Sequence, residues 1–143
     1  IEYGITLKEG ENLEDLFVNI IDHPHEFATL LKSLGCTAYR TSLERSVIEP
    51  EPGRFSEMAI EKYRVLYRAL KDKGVEPWIT LHHFTNPQWF EDANGLVNEN
   101  NIEGFVHYAE EMAKRFPEVT NWFTFNEPGV RALEGHVRGE HPP

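Results

Sequence analysis

Apolar residues along the chain alternate between short continuous runs and longer stripes at helical spacing. Tyr3 to Leu7 reads as a short strand. Asp22 is placed to cap a helix running to about Leu34, with Phe27, Leu30, Leu31 and Leu34 along one face and Gly35 as its stop. Cys36 to Leu43 is the next strand. Ser56 caps a longer helix that ends at Gly74 and carries Ile60, Tyr63, Tyr67 and Leu70 on one side. Val75 to Leu81 is a third strand, in which Pro77 is tolerable only near the start. A third long helix spans about Asn101 to Phe116, with a stripe of Ile102, Phe105, Val106, Ala109, Met112 or Ala113, and Phe116, and Pro117 stops it. Val119 to Phe125 is a fourth strand.

The resulting order, βαβαβαβ, calls for a parallel sheet with helices packed on it. Two architectures fit: an open doubly wound sheet, or part of an eightfold barrel. No G-x-G-x-x-G or G-K-[ST] follows the first strand, so an open nucleotide-binding sheet loses its main support. The strand ends instead carry polar and aromatic residues: Arg40 and Ser42, then His82 to Gln88, then Asn126 and Glu127. In a (β/α)8 barrel the C-terminal strand ends and the loops after them build the active site. Four strands are half of such a barrel, which takes about 250 residues in full.

Composition narrows the function classes. With 143 residues, 40% apolar and 27% charged, the chain suits one globular domain. A formal charge of -10 disfavours nucleic acid and anionic membrane surfaces, both of which need clustered Lys and Arg. No apolar run approaches the roughly 20 residues of a membrane span. Cys36, the one cysteine, has no disulfide partner within the chain and reads as a small buried hydrophobe. With no recognisable signal peptide, the expectation is a cytoplasmic protein. A chain opening at Ile1 rather than Met is expected to continue upstream.

The most informative stretch is Trp122-Phe123-Thr124-Phe125-Asn126-Glu127-Pro128. It sets a carboxylic acid just past a buried strand, with an amide side chain before it and Pro128 ending the regular ladder. A carboxyl group held there suits general acid work, which requires burial or a neighbouring negative charge to favour the protonated form. Asn126 and Glu127 read equally as the start of a loop or a helix cap. Among the other polar residues, His83 reads as a ligand contact or a satisfied core histidine, and Arg40 as a site residue or an ion-pair partner. Adjacent strand residues point to opposite faces, so His82 and His83 do not suggest one metal site. Trp78, early in its strand, is expected in the core. Trp89 either lines a cleft or packs its loop, and Glu9 to Asp15 reads as a solvated loop.

Thr124-Phe125-Asn126-Glu127-Pro128 matches the motif T-[FI]-N-E-P of glycoside hydrolase family 1. Pro77-Trp78-Ile79-Thr80-Leu81-His82-His83-Phe84 resembles the family's P-x-V-T-L-x-H-[WF], and Tyr39-Arg40-Thr41-Ser42 its Y-R-[FT]-S strand. Gly135 to Pro143 is similar to its G-Y-x-x-G-x-x-P-P segment. The motifs occur in the family's order and cover nearly the whole chain. The resemblance implies a (β/α)8 TIM barrel, of which residues 1–143 are the N-terminal half of a single domain. It implies Glu127 as acid/base, Asn126 and His83 as hydrogen-bonding contacts to the sugar, Phe84 as an aromatic lining the same subsite, and Arg40 as support for the nucleophile. No cofactor or metal is implied. The expected reaction is retaining hydrolysis of a small β-glycoside or oligosaccharide, β-glucosidase-like.

Two departures stand out. Leu7 occupies the position of a glycone-binding Gln, and Arg45 stands near a usual Trp. The family's nucleophile motif, [IV]-T-E-N-G on a seventh strand, is not in the sequence. The chain alone is therefore expected to be inactive and to need the C-terminal half of the barrel, or a second copy, as its partner. The alternative is a catalytically inactive carbohydrate-binding or assembly half-barrel.

Overall fold

The computed structural model describes residues 20–140. The expected strand at Tyr3 to Leu7, the Leu7 substitution, the acidic run Glu9 to Asp15 and the last three residues of the Gly135 to Pro143 segment lie outside the described residues.

Helix α1 is Pro24–Ser33. It begins after His23 rather than after Asp22, because Pro24 lacks an N–H and already holds a helical φ, which suits the first helical position. Asp22 instead accepts from Lys62 Nζ at 2.9 Å. The buried face of α1 is Pro24 and Ala28, with Phe27 and Leu31 packed at the core edge, whereas Leu30 and Leu34 of the expected stripe are exposed.

Strand β1 is Ala38–Ser42, followed by the short helix α2, Arg45–Ile48. Helix α3, Glu57–Asp72, starts as expected on Ser56, whose Oγ accepts from Ala59 N at 3.3 Å. Ser56→Ala is expected to cost about 0.5–2 kcal/mol, read as a lower urea midpoint at unchanged m. The helix ends at Gly74, whose φ of +70° lets Val75 N turn back to Leu70 O at 2.9 Å.

Strand β2, Glu76–His82, leads into α4, Gln88–Asp92, and a 3-10 turn at Gly95–Val97. Helix α5, Asn101–Arg115, buries Phe105, Tyr108 and Met112. Ile102 and Val106 from the expected stripe are exposed, because Tyr108 rotates the apolar face toward α2. Strand β3 is Asn121–Phe125, followed by one turn of helix α6, Pro128–Val130, and a π-helical turn, Arg131–Val137.

The described strands form one parallel sheet in the order β1-β2-β3, each paired with its neighbour in sequence. Strands added in one direction, with a helix in each crossover, match a segment of a barrel wall. One face packs against the helices through Tyr39, Ile79, Leu81 and Trp122. There Tyr67, Ile60, Leu70, Val75, Met112 and Phe116 form the centre of the core, with Tyr67 edge-on to Phe116 at 5.3 Å. The other face carries Arg40, Trp78, Thr80 and Phe123 in register. Trp78 is therefore not a core residue: it is 39% exposed, and its ring lies 5.7 Å from that of Phe123. Period-two alternation sends Ile79 to the helices and so Trp78 to the opposite face.

Candidate active site

Arg40 ties the three strands together at one end of the sheet. Its Nε donates to Thr80 Oγ1 on β2 at 3.2 Å, and its Nη2 donates to Asn126 Oδ1, just past β3, at 2.6 Å. The guanidinium also lies 4.6 Å from the centroid of the Phe123 ring. Arginine only donates, so Asn126 must present its oxygen to Arg40, which turns its Nδ2 group outward as a donor. The backbone of Asn126 continues the sheet by one residue, its N–H donating to His82 O at 2.9 Å.

The chain leaves the sheet abruptly at the next residue. Glu127 has φ +42° and ψ +59°, in the left-handed region, and its exposed side chain does not cap α6. Pro128 takes the first helical position, and the carbonyl of Glu127 accepts from Val130 N at 3.0 Å and Arg131 N at 3.2 Å. Phe84, after β2, is also left-handed, with φ +68°. Each such non-glycine residue costs on the order of 1–2 kcal/mol, and such strain collects where geometry serves a function. Asn94 is the third non-glycine residue at positive φ among the described residues, and asparagine adopts it readily; the other two fall next to residues singled out by sequence, Phe84 after His83 and Glu127 after Asn126.

The two adjacent histidines have opposite environments. His83 is exposed, with its ring 5.4 Å from that of Phe84. Partial burial, helped by the positive charge of Arg40, holds its imidazole below the ordinary value, and the carboxylate of Glu127 pulls the other way. Arg40, His83, Asn126 and Glu127 are thus brought into one electrostatic neighbourhood. His82 is 3% exposed, between the rings of Phe105 and Phe125. Burial, followed by the charge of Arg131, pushes its pKa down to about 4. Its Nε2 stands 3.3 Å from Arg131 Nη1 and must accept, which places the ring proton on Nδ1.

A buried neutral histidine makes stability depend on acidity. Below pH about 6.5 the unfolded chain gains a proton at His82 that the folded chain refuses until about 4, so stability falls as the pH drops through that window. The expected loss is up to about 3 kcal/mol. Urea unfolding at pH 7 and pH 4.5 checks it against His82→Phe, which cannot titrate at this position. An identical pH dependence in both proteins would remove His82 as the cause.

Among the described residues no group of three or more His, Cys, Asp or Glu side chains gathers as a metal site, and no helix is long and apolar enough to cross a membrane.

The sequence profile of glycosyl hydrolase family 1 matches residues 6–143. The chain belongs to glycosyl hydrolase family 1. This family 1 chain is 40% identical over 129 residues to beta-glucosidase 25 of Oryza sativa subsp. japonica, covering 86% of the chain and 26% of that protein. It is 35% identical over 127 residues to beta-glucosidase A of Acetivibrio thermocellus, covering 85% of the chain and 28% of that protein. Its fold matches the beta-glycosidase from Pyrococcus horikoshii with a TM-score of 0.82 at 38% identity, over 87% of this chain and 30% of that one. It matches the family 1 beta-glucosidase from Thermotoga maritima with a TM-score of 0.82 at 31% identity, over 87% and 29%. The chain therefore spans between a quarter and a third of these relatives, and its sheet and helices are part of a (β/α)8 barrel.

Within this family 1 fold several residues take places that sequence patterns do not reveal. Arg45 is buried in α2, where it pairs with Glu49 at 2.7 Å beneath the rings of Trp89, Phe90 and Tyr108. Trp89 lies in α4 and packs it against α2: its Nε1 donates to Glu49 O at 3.0 Å, and its ring lies 5.1 Å from the Arg45 guanidinium. Cys36 is half-buried rather than fully enclosed, and free. Thr80 and Phe123 join the site through Arg40, on the same face of the sheet, and period-two alternation along their strands was the available signal. Arg131 joins it with no signal in its neighbours beyond a spacing of four from Glu127.

Proposed function

We propose that this chain supplies the acid/base side of the active site of a β-glycosidase that cleaves O-glycosidic bonds with retention of configuration, as the first four βα units of one barrel domain. The observation that carries the proposal is the strained placement of Glu127 beside His83, with Asn126 fastened to Arg40.

Retaining hydrolysis uses two carboxyl groups about 5–5.5 Å apart. In the first step the Glu127 carboxyl gives its proton to the glycosidic oxygen as the bond from that oxygen to the anomeric carbon breaks. A second carboxylate forms a bond to the same carbon. In the second step water attacks that carbon, gives a proton to the Glu127 carboxylate and releases the second carboxylate. This proposal assigns the second carboxylate to the remainder of the barrel, beside Arg40. Arg40 Nη1 makes no hydrogen bond among the described residues and suits that role. Asn126 Nδ2 and His83 are placed to bond sugar hydroxyls, and Phe84 to pack against a sugar face. The substrate class is a small β-glycoside or oligosaccharide.

A second reading, a carbohydrate-binding or assembly half-barrel without turnover, is favoured by the open Trp78–Phe123 face, since aromatic faces pack on sugar rings. That reading has no use for an acid. Hydrolysis of an aryl β-glycoside by the polypeptide that carries this chain, compared with its Glu127→Gln variant, separates the two. Equal rates would remove Glu127 from the chemistry.

A further inference from the structure

Arg131 begins the π-helical turn after α6, four residues beyond Glu127. Its side chain is 9% exposed and crosses to the loop that follows β2. There Nη1 donates to Phe84 O at 3.1 Å and to His82 Nε2 at 3.3 Å, while Nη2 stands 3.6 Å from Glu91 Oε1. The remaining donor, Nε, is buried without an acceptor. A guanidinium buried in this way, with one N–H unpaired, costs stability relative to an apolar side chain of similar volume. Filling space does not account for it.

What distinguishes Arg131 is the pair of carbonyls it holds. Its backbone N–H donates to Glu127 O at 3.2 Å, and its side chain donates to Phe84 O at 3.1 Å. Phe84 and Glu127 are the two left-handed residues that flank the site. One residue thus fastens the strained peptide after His83 to the strained peptide that carries the Glu127 carboxyl. The opposite side of the clamp is also fixed, because Asn86 Nδ2 donates to the same Glu91 oxygen at 2.6 Å. Gly95 leaves room for that carboxylate, since a Cβ there would come 2.7 Å from Glu91 Oε2.

We infer that Arg131 is a positioning residue, which sets the distance between the His83–Phe84 peptide and Glu127 by bonding the carbonyls of Phe84 and Glu127. The inference rests on the acid/base reading of Glu127 for its effect on catalysis, but not for its effect on geometry. Without the side-chain donor, Phe84 O loses that hydrogen bond, and Phe84 relaxes from its left-handed strain toward the β region, turning His83 with it. Small displacements of this kind can lower turnover 100-fold even when the altered residue never touches substrate.

The test uses two substitutions of similar volume in the polypeptide that carries this chain. Arg131→Met removes every side-chain donor and keeps the backbone bond to Glu127 O, whereas Arg131→Lys keeps a side-chain donor that can reach Phe84 O. Crystal structures are expected to show Phe84 at positive φ in Arg131→Lys and out of the left-handed region in Arg131→Met. With an aryl β-glycoside, kcat is expected to fall about 10-fold to 100-fold in Arg131→Met and to recover most of that loss in Arg131→Lys. Equal kcat in both variants, or Phe84 unmoved in Arg131→Met, would overturn the inference. If Phe84 moves as expected but Glu127→Gln hydrolyses as fast as the unaltered protein, the acid/base reading fails while the hold of Arg131 on Phe84 stands.

Discussion

Glu127→Gln is expected to lose kcat/KM the more, the more basic the departing alcohol. A general acid contributes most where the leaving oxygen cannot accept a full negative charge, and positioned acid–base groups supply about 10²- to 10⁴-fold. Alkyl glycosides, whose alkoxides are strong bases, are expected to show the upper end of that range, which corresponds to about 5 kcal/mol of barrier. Dinitrophenyl glycosides leave as stable phenolates and need little protonation, so their bond cleavage is expected to be nearly unaffected. Glutamine has the shape of Glu127 and no proton to give, so a slope that steepens with leaving-group pKa reports proton transfer rather than a disturbed loop. Measuring kcat/KM, which reports the bond-cleaving step and not the later release by water, across a series of leaving groups checks it. A uniform loss of kcat/KM across the series would mean that the substitution damages binding or the left-handed turn at Glu127 instead.

Glu49→Ala is expected to destabilise the fold by about 3–5 kcal/mol, the range for leaving one member of a buried ion pair uncompensated. Arg45 and Glu49 are each only 3% exposed, and their contact at 2.7 Å lies among aromatic rings. The Arg45 guanidinium is 4.6 Å from the ring of Phe90, 4.7 Å from Tyr108 and 5.1 Å from Trp89. Those ring faces favour a cation but do not neutralise it, and Arg45 Nη1 already lacks an acceptor. Glu49 also accepts from Gly53 N at 2.9 Å, so its loss frees the turn before α3 as well. A change of that size is a large part of the 5–15 kcal/mol that holds a typical domain together. It is measured as a shift of urea midpoint at constant m. Replacing both partners by apolar residues, Arg45→Met with Glu49→Leu, is expected to recover most of the loss, because no charge then remains buried. A cost below 1 kcal/mol for Glu49→Ala would show that water reaches the pair.

The helices α3 and α5, the strands β1, β2 and β3, and the end of β3 at Asn126 were legible in the sequence. Each is encoded by neighbours within a few positions: Ser56 before an apolar stripe, Gly74 after it, Pro117 after Phe116, a short apolar run before Asn126. Propensity, capping and hydrophobic period are local quantities, and they act on a segment whatever it later packs against. The resemblance carried by Thr124 to Pro128 was legible for the same reason, since its residues are contiguous. The rotation of α5 was not. Val106 and Tyr108 lie on nearly opposite faces of one helix, and the choice of Tyr108 over Val106 depends on Arg45, which approaches from α2, far away in sequence.

The candidate site divides along the same line. Arg40, His83, Asn126 and Glu127 could be named from the strand ends that hold them, because a parallel βα order sends C-terminal strand ends to one side. Residue order and period thus settle which segments become strands, which become helices, and which polar residues reach that side. They leave open the partners. That Arg40 bonds Thr80 and Asn126, that Arg45 is buried with Glu49, that Trp78 faces away from the core, and that Arg131 holds Phe84 and Glu127 all depend on register and packing between segments far apart in the chain. Hydrogen bonds and ion pairs act over about 3 Å, so no periodicity in one dimension can select them until the sheet and its helices have brought the groups together.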